Sequence, residues 1–84
     1  MIMTEQKLKR IDEILADIRE EVIKASTKHA PMNSPHEGIS VLKEEVDELW
    51  DEVKQDTGRL GPAKREAIQI SAMGVRYILD LCEY

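Results

Sequence analysis

The sequence contains no phenylalanine, and aromatic residues fill only 4% of its 84 positions. A chain so poor in strand-forming aromatics argues against a β-rich core. It has one cysteine, Cys82, which cannot close an internal disulfide, so nothing demands an oxidising compartment. A positive excess is also missing. Twelve basic residues against 17 acidic ones leave −5 at pH 7, which speaks against a nucleic-acid binder working through a basic face. No apolar run approaches the ~20 residues of a membrane span. The first residues turn polar by Thr4, unlike a signal peptide. GxGxxG, GxxxxGKS/T, CxxC and HExxH are absent, which removes several common enzyme and metal classes. The expectation is a cytoplasmic chain with neither nucleic acid nor membrane as partner.

What is present points to helix. Charged residues make up 35% and hydrophobic ones 42%, too apolar for a disordered chain. At this length roughly 60–65% of the unfolded surface is buried, which leaves little margin for an elaborate monomeric enzyme. Residues 1–84 read as a single helical domain. Leu8, Ile11, Leu15, Ile18, Val22 and Ala25 step by three and four, predicting an amphipathic helix from about Thr4 to Thr27. Pro31 and Pro35 bracket a break. Ser34 then suits an N-cap, Pro35 the first helical position, and Glu37 the third, a capping box. Ile39, Leu42, Val46, Leu49 and Val53 carry a second helix, which should fade by Asp56–Gly58 with Gly58 as its stop.

Gly61-Pro62 opens a third helix, expected to run to about Cys82. It bears two apolar stripes. One is Ile68, Ala72, Val75, Leu79 and Cys82; the other is Ile70, Met73, Tyr77 and Leu81, nearly opposite. A helix apolar on both sides must be covered on both. The first two helices can cover one side, and the other calls for a second chain. Ala67, Ser71 and Gly74 add a line of small residues suited to close helix packing. The fold class expected is therefore all-α, a three-helix chain that completes a bundle by homo-oligomerisation, as a dimer or tetramer.

The stretch Lys43–Glu52 is densely acidic. Pairs 44–47, 44–48, 45–48, 47–51, 48–51 and 48–52 all fall at neighbouring helical spacing. At ~0.2–0.5 kcal/mol each, their repulsion is on the order of 1–3 kcal/mol. Glu45, Glu48 and Glu52 flank one edge of the apolar stripe, while Asp47 and Asp51 point away from it. Glu45 and Glu48, one turn apart, suit a hard divalent cation such as Mg²⁺, which takes oxygen ligands and keeps several waters. A solvated acidic face is the plainer reading of the same spacing. Glu66 shifts the balance. If the second and third helices are antiparallel about the Gly58–Gly61 turn, Glu48 and Glu66 differ in level by roughly 8 Å, within reach of one hydrated ion.

These residues resemble a known family. Glu44-Glu45-Val46-Asp47-Glu48 matches an EExxE motif, and Glu66 opens what would be an ExxD motif on the next helix. Together they resemble the MazG-type all-α nucleoside triphosphate pyrophosphohydrolases. The flanks Ser34-Pro35-His36-Glu37-Gly38 and Arg65-Glu66-Ala67-Ile68-Gln69-Ile70 look like those of small phage and bacterial MazG-like proteins. The resemblance spans about residues 28–82. It implies a MazG-like fold and a homodimer or homotetramer with the site between helices. It also implies Mg²⁺, with Mn²⁺ as the alternative ion. The implied reaction is nucleotide house-cleaning, in which a nucleoside triphosphate is cut between the α and β phosphates to a monophosphate and pyrophosphate. Glu45, Glu48 and Glu66 carry over as metal ligands. Glu44 carries over as a further ligand or as the group that orients the attacking water.

The pattern departs at Gln69, where the family has aspartate. An amide oxygen can still ligate Mg²⁺ but adds no charge. Asp80 lies eleven residues beyond Gln69, roughly 16 Å along the axis, and cannot substitute. The chain also reads as three helices where many relatives add a fourth. The alternative is thus a catalytically inactive MazG-like helical dimer, acting as a nucleotide-binding or protein-interaction module. Further candidates for substrate contact are His36 in the capping turn, Lys54, Gln69, Tyr77 with Met73, the loop residues His29 and Asn33, and Lys64, Arg65 and Arg76. Each also has a plain reading as surface or packing residue. Trp50 reads as core or interface, and Cys82 as a small core residue.

Overall fold

Side-chain caps set where the first two helices start. In the computed structural model, which describes residues 2–83, α1 spans Glu5–Lys28, α2 Pro35–Lys54 and α3 Pro62–Tyr77. The last runs on into a π-helical turn, Ile78–Cys82. There is no strand among the described residues. Thr4 Oγ1 accepts from the Lys7 amide at 3.2 Å and caps α1. Ser34 Oγ accepts from the Glu37 amide at 3.1 Å, with Pro35 in the first turn, as the sequence predicts for α2. The reciprocal bond is shifted by one residue: Glu37 Oε2 accepts from the Asn33 amide at 3.1 Å. α2 ends at Lys54, and the chain already turns at Asp56, which takes a left-handed φ of 55° before Gly58 is reached.

α3 lies in the middle. It packs against α2 on one side and α1 on the other, while α1 and α2 scarcely meet. Val22, Ala25, Met32, Ala72 and Met73 form the buried core, with Ile18, Val41, Leu42, Tyr77 and Leu81 packed around it. No helix of the described chain is long and apolar enough to cross a membrane.

Several expected core positions lie elsewhere. On α1 the stripe is covered only in its second half, so Leu8, Ile11 and Leu15 are exposed. On α2, Leu42 and Leu49 are half-buried, but Ile39, Val46 and Val53 face solvent. The cause is a roll of α2 about Gly38. A Cβ at Gly38 would sit 2.5 Å from Cδ2 of Tyr77, so glycine lets the α3 ring press onto the helix backbone. That contact turns Gly38, Val41, Leu42 and Glu45 inward. Trp50 is exposed, with the Lys54 ammonium 5.7 Å from its ring centre. Cys82 is exposed rather than core, because Leu81 is the residue of the final turn that packs inward.

The charge pattern of α3 is inverted. Arg76 is only 4% exposed. Its Nη2 donates to the Ala30 carbonyl at 3.1 Å and lies 3.7 Å from Asp80 Oδ2. Asp80 in turn accepts from the Met32 amide at 3.0 Å. This inward ion pair pins the loop between α1 and α2 onto the end of α3.

Candidate metal centre and adjoining cavity

The roll of α2 brings Glu45 against α3, and Glu48 follows one turn later. Glu66 meets them from the first turns of α3. One carboxylate oxygen from each of Glu45, Glu48 and Glu66 lies within 4.8 Å of the others. Glu45 and Glu66 are half-buried and Glu48 is exposed. Glu66 Oε2 is buried with no hydrogen-bond partner. A buried acceptor left unpaired is costly, on the order of 1–3 kcal/mol.

Electrostatics agree with the crowding. The Glu45 carboxyl is pushed up to about 7, first by removal from water, then by hydrogen bonding to Glu66 and by the charge of Glu48. Glu66 is raised too, first by burial and then by hydrogen bonding to Glu48. Without a cation the cluster therefore favours carrying a proton. Three carboxylates from two helices, one of which also has an unpaired buried oxygen, fit a divalent ion such as Mg²⁺ or Mn²⁺.

A cavity of about 510 Å³ adjoins Glu45. Glu21, Glu44 and Glu45 contribute carboxylates to its wall, while Lys24, Lys28, His29 and Arg76 contribute cations or imidazole. Ala25, Met32, Val41 and Met73 give it an apolar side. Such a wall offers charged and apolar contacts side by side. Gln69 lines it as well, and its amide donates to Glu21 Oε1 at 2.6 Å. Gln69 therefore spends its donor on α1.

The other sequence candidates distribute unevenly. His29 and Met73 reach the cavity. His36 is exposed in the first turn of α2 and is not part of the cavity wall. Lys54 pairs with Asp51 at 3.3 Å, also away from it. Tyr77 is engaged by Gly38 in the α2–α3 contact. Asn33 uses its amide in the α2 cap. Lys64 and Arg65 line smaller clefts between α1 and α3. Sequence reasoning missed the share of α1. Glu21, Lys24 and Lys28 step by three and four beside buried Ala25, which is the sequence signal that could have found it. Arg76, a sequence candidate for substrate contact, does line the cavity wall, but from a buried position, and Asp80 four residues on is the local clue to that burial.

Compared with protein-family models, with curated proteins and with solved structures, the chain finds no match.

Proposed function

We propose that the protein is a Mg²⁺-dependent nucleoside triphosphate pyrophosphohydrolase of the MazG-like kind, working as a homo-oligomer. The observation that carries this reading is the convergence of Glu45, Glu48 and Glu66 from two helices, with the buried Glu66 oxygen unpaired. The EExxE pattern and the resemblance stated above support it. Glu45, Glu48 and Glu66 would hold the cation, which would supply neutralisation of phosphate charge and activation of a water nucleophile. Glu44, which shares the cavity wall with Glu45, would orient that water and take its proton. Lys24, Lys28 and His29 face the phosphate chain from α1 and the following loop. Ala25, Val41, Met32 and Met73 give the nucleoside an apolar wall. Water adds to phosphorus as the α–β bridging bond breaks, giving monophosphate and pyrophosphate.

A second reading is an inactive relative that binds nucleotide or a protein partner. The Gln69–Glu21 bond favours it, because the position where the family holds a fourth carboxylate carries a committed amide instead. A pyrophosphate-release screen across nucleoside triphosphates, with and without Mg²⁺ or Mn²⁺, separates the two. Metal-dependent release that is lost in Glu48→Gln supports the hydrolase. Nucleotide binding without release supports the second reading.

A further inference from the structure

We propose that Arg76 donates to a carbonyl oxygen of the bound nucleobase, so that the cavity selects bases bearing an oxo group and rejects adenine. The inference rests on the reading of the cavity as a nucleotide site.

The cavity has two unlike ends. Glu21 meets Gln69 and Ala30 meets Arg76, so α1 and α3 run side by side in the same direction. α2 runs the other way, with Gly38 against Tyr77 and Glu45 beside Glu66. Glu21, Glu44 and Glu45 therefore stand toward the metal end of the cavity, and Met32, Met73 and Arg76 toward the other. From Gln69 to Arg76 the distance along α3 is roughly 10 Å.

Arg76 is under-used where it stands. It is buried, yet it lines the cavity. Nη2 donates to the Ala30 carbonyl, and Nη1 has only the Met73 sulfur, at 3.8 Å. Nε is buried and has no hydrogen-bond partner. Buried donors are seldom left idle, because water can no longer satisfy them. The neighbouring carboxylates are already in service. Asp80 spends Oδ2 on the Met32 amide, and Glu37 holds the Asn33 amide.

The idle donor calls for an acceptor without charge. Asp80, 3.7 Å from Nη2, already supplies the counter-charge. A second anion would leave excess negative charge among Met32, Met73 and Ala25, where charge is costly. A flat ring with a carbonyl suits both features. The ring lies against the methionine sulfurs, a favourable contact for an aromatic body, and its oxygen meets Nε.

Bases differ at this point. Guanine, cytosine, uracil and thymine all carry ring carbonyls. Adenine has none, and its N7 acceptor stands beside the N6 amino donor, which a guanidinium can only oppose. A site built to donate to a substrate oxygen discriminates strongly against the analogue that lacks it.

The test is calorimetric titration with Mg²⁺ and α,β-methylene triphosphates, whose bridging bond water cannot cut. The guanosine and inosine forms should bind roughly ten-fold or more tightly than the adenosine and 2-aminopurine riboside forms, which lack the oxygen. Arg76→Lys keeps a charge opposite Asp80 but gives up Nε, and it should level the four affinities while circular dichroism reports an intact fold. The wild-type series stands without that variant if the variant unfolds. Equal binding of the four, or a preference that survives in folded Arg76→Lys, would overturn the proposal and leave the hydrolase reading in place. Arg76-dependent binding of inorganic phosphate to the metal-free chain would overturn it too, by showing an anion site instead. If no form binds and no pyrophosphate is released from ordinary triphosphates, both readings fall.

Discussion

Glu45 carries the most readable behaviour of any single residue. Its pKa in the folded chain, about 7, lies above the ordinary glutamate value of 4.5. The folded state therefore binds the proton more tightly than the unfolded one, and the stability this brings is present below about 4.5 and lost as pH rises through 7. Metal-free protein should melt at a higher temperature at pH 5 than at pH 8, and Glu45→Gln should flatten that difference. Mn²⁺ or Mg²⁺ should raise the melting temperature at pH 8 more than at pH 5, because the ion competes with the proton. Glu48→Gln should remove that metal effect while leaving the helical signal intact. Gln69→Asp acts through a different contact. It removes the donor to Glu21 and sets a carboxylate against it, so stability should fall by about 1–2 kcal/mol and any turnover should drop. A gain in Mg²⁺ affinity on calorimetric titration would show instead that the site lacks a fourth charge.

At the scale of the helices, α2 is positioned by one contact. Gly38→Ala gains helix propensity of ~1 kcal/mol but forces the Tyr77 ring aside, an overpacking that costs about 1–3 kcal/mol. Chemical denaturation should show a net loss in the wild-type background and a net gain when Tyr77 is already alanine. This contact also explains what could be read from sequence. Helix starts were legible because Thr4, Ser34 and Pro35 act on their own neighbours. So was the meeting of Glu48 with Glu66, which needs only two antiparallel helices and a short turn. The roll of α2 was not legible. A 3–4 apolar pattern fixes a face only to within the width of the stripe, and Ile39, Val46 and Val53 scored as well as the glycine side that is actually packed. The burial of Arg76 is only half legible: Asp80 stands four residues on, but nothing local in the sequence places the Ala30 carbonyl beside it.

For the molecule as a whole, stability is thinly spread over a small core and one buried ion pair. Arg76→Met should strand the Asp80 carboxylate and cost about 3–5 kcal/mol, a large share of what a chain this size possesses. Its melting temperature should fall accordingly. The same ion pair has a consequence for how the chain breathes. Met32 belongs to a connecting loop, where amide hydrogens ordinarily trade with solvent within moments. Yet its side chain is buried and its amide is held by Asp80, 48 residues further along. That proton can leave for deuterium only when the final turn of the chain lets go. A single loop amide, followed by hydrogen exchange, thus becomes a clock for the opening of the opposite end of the sequence.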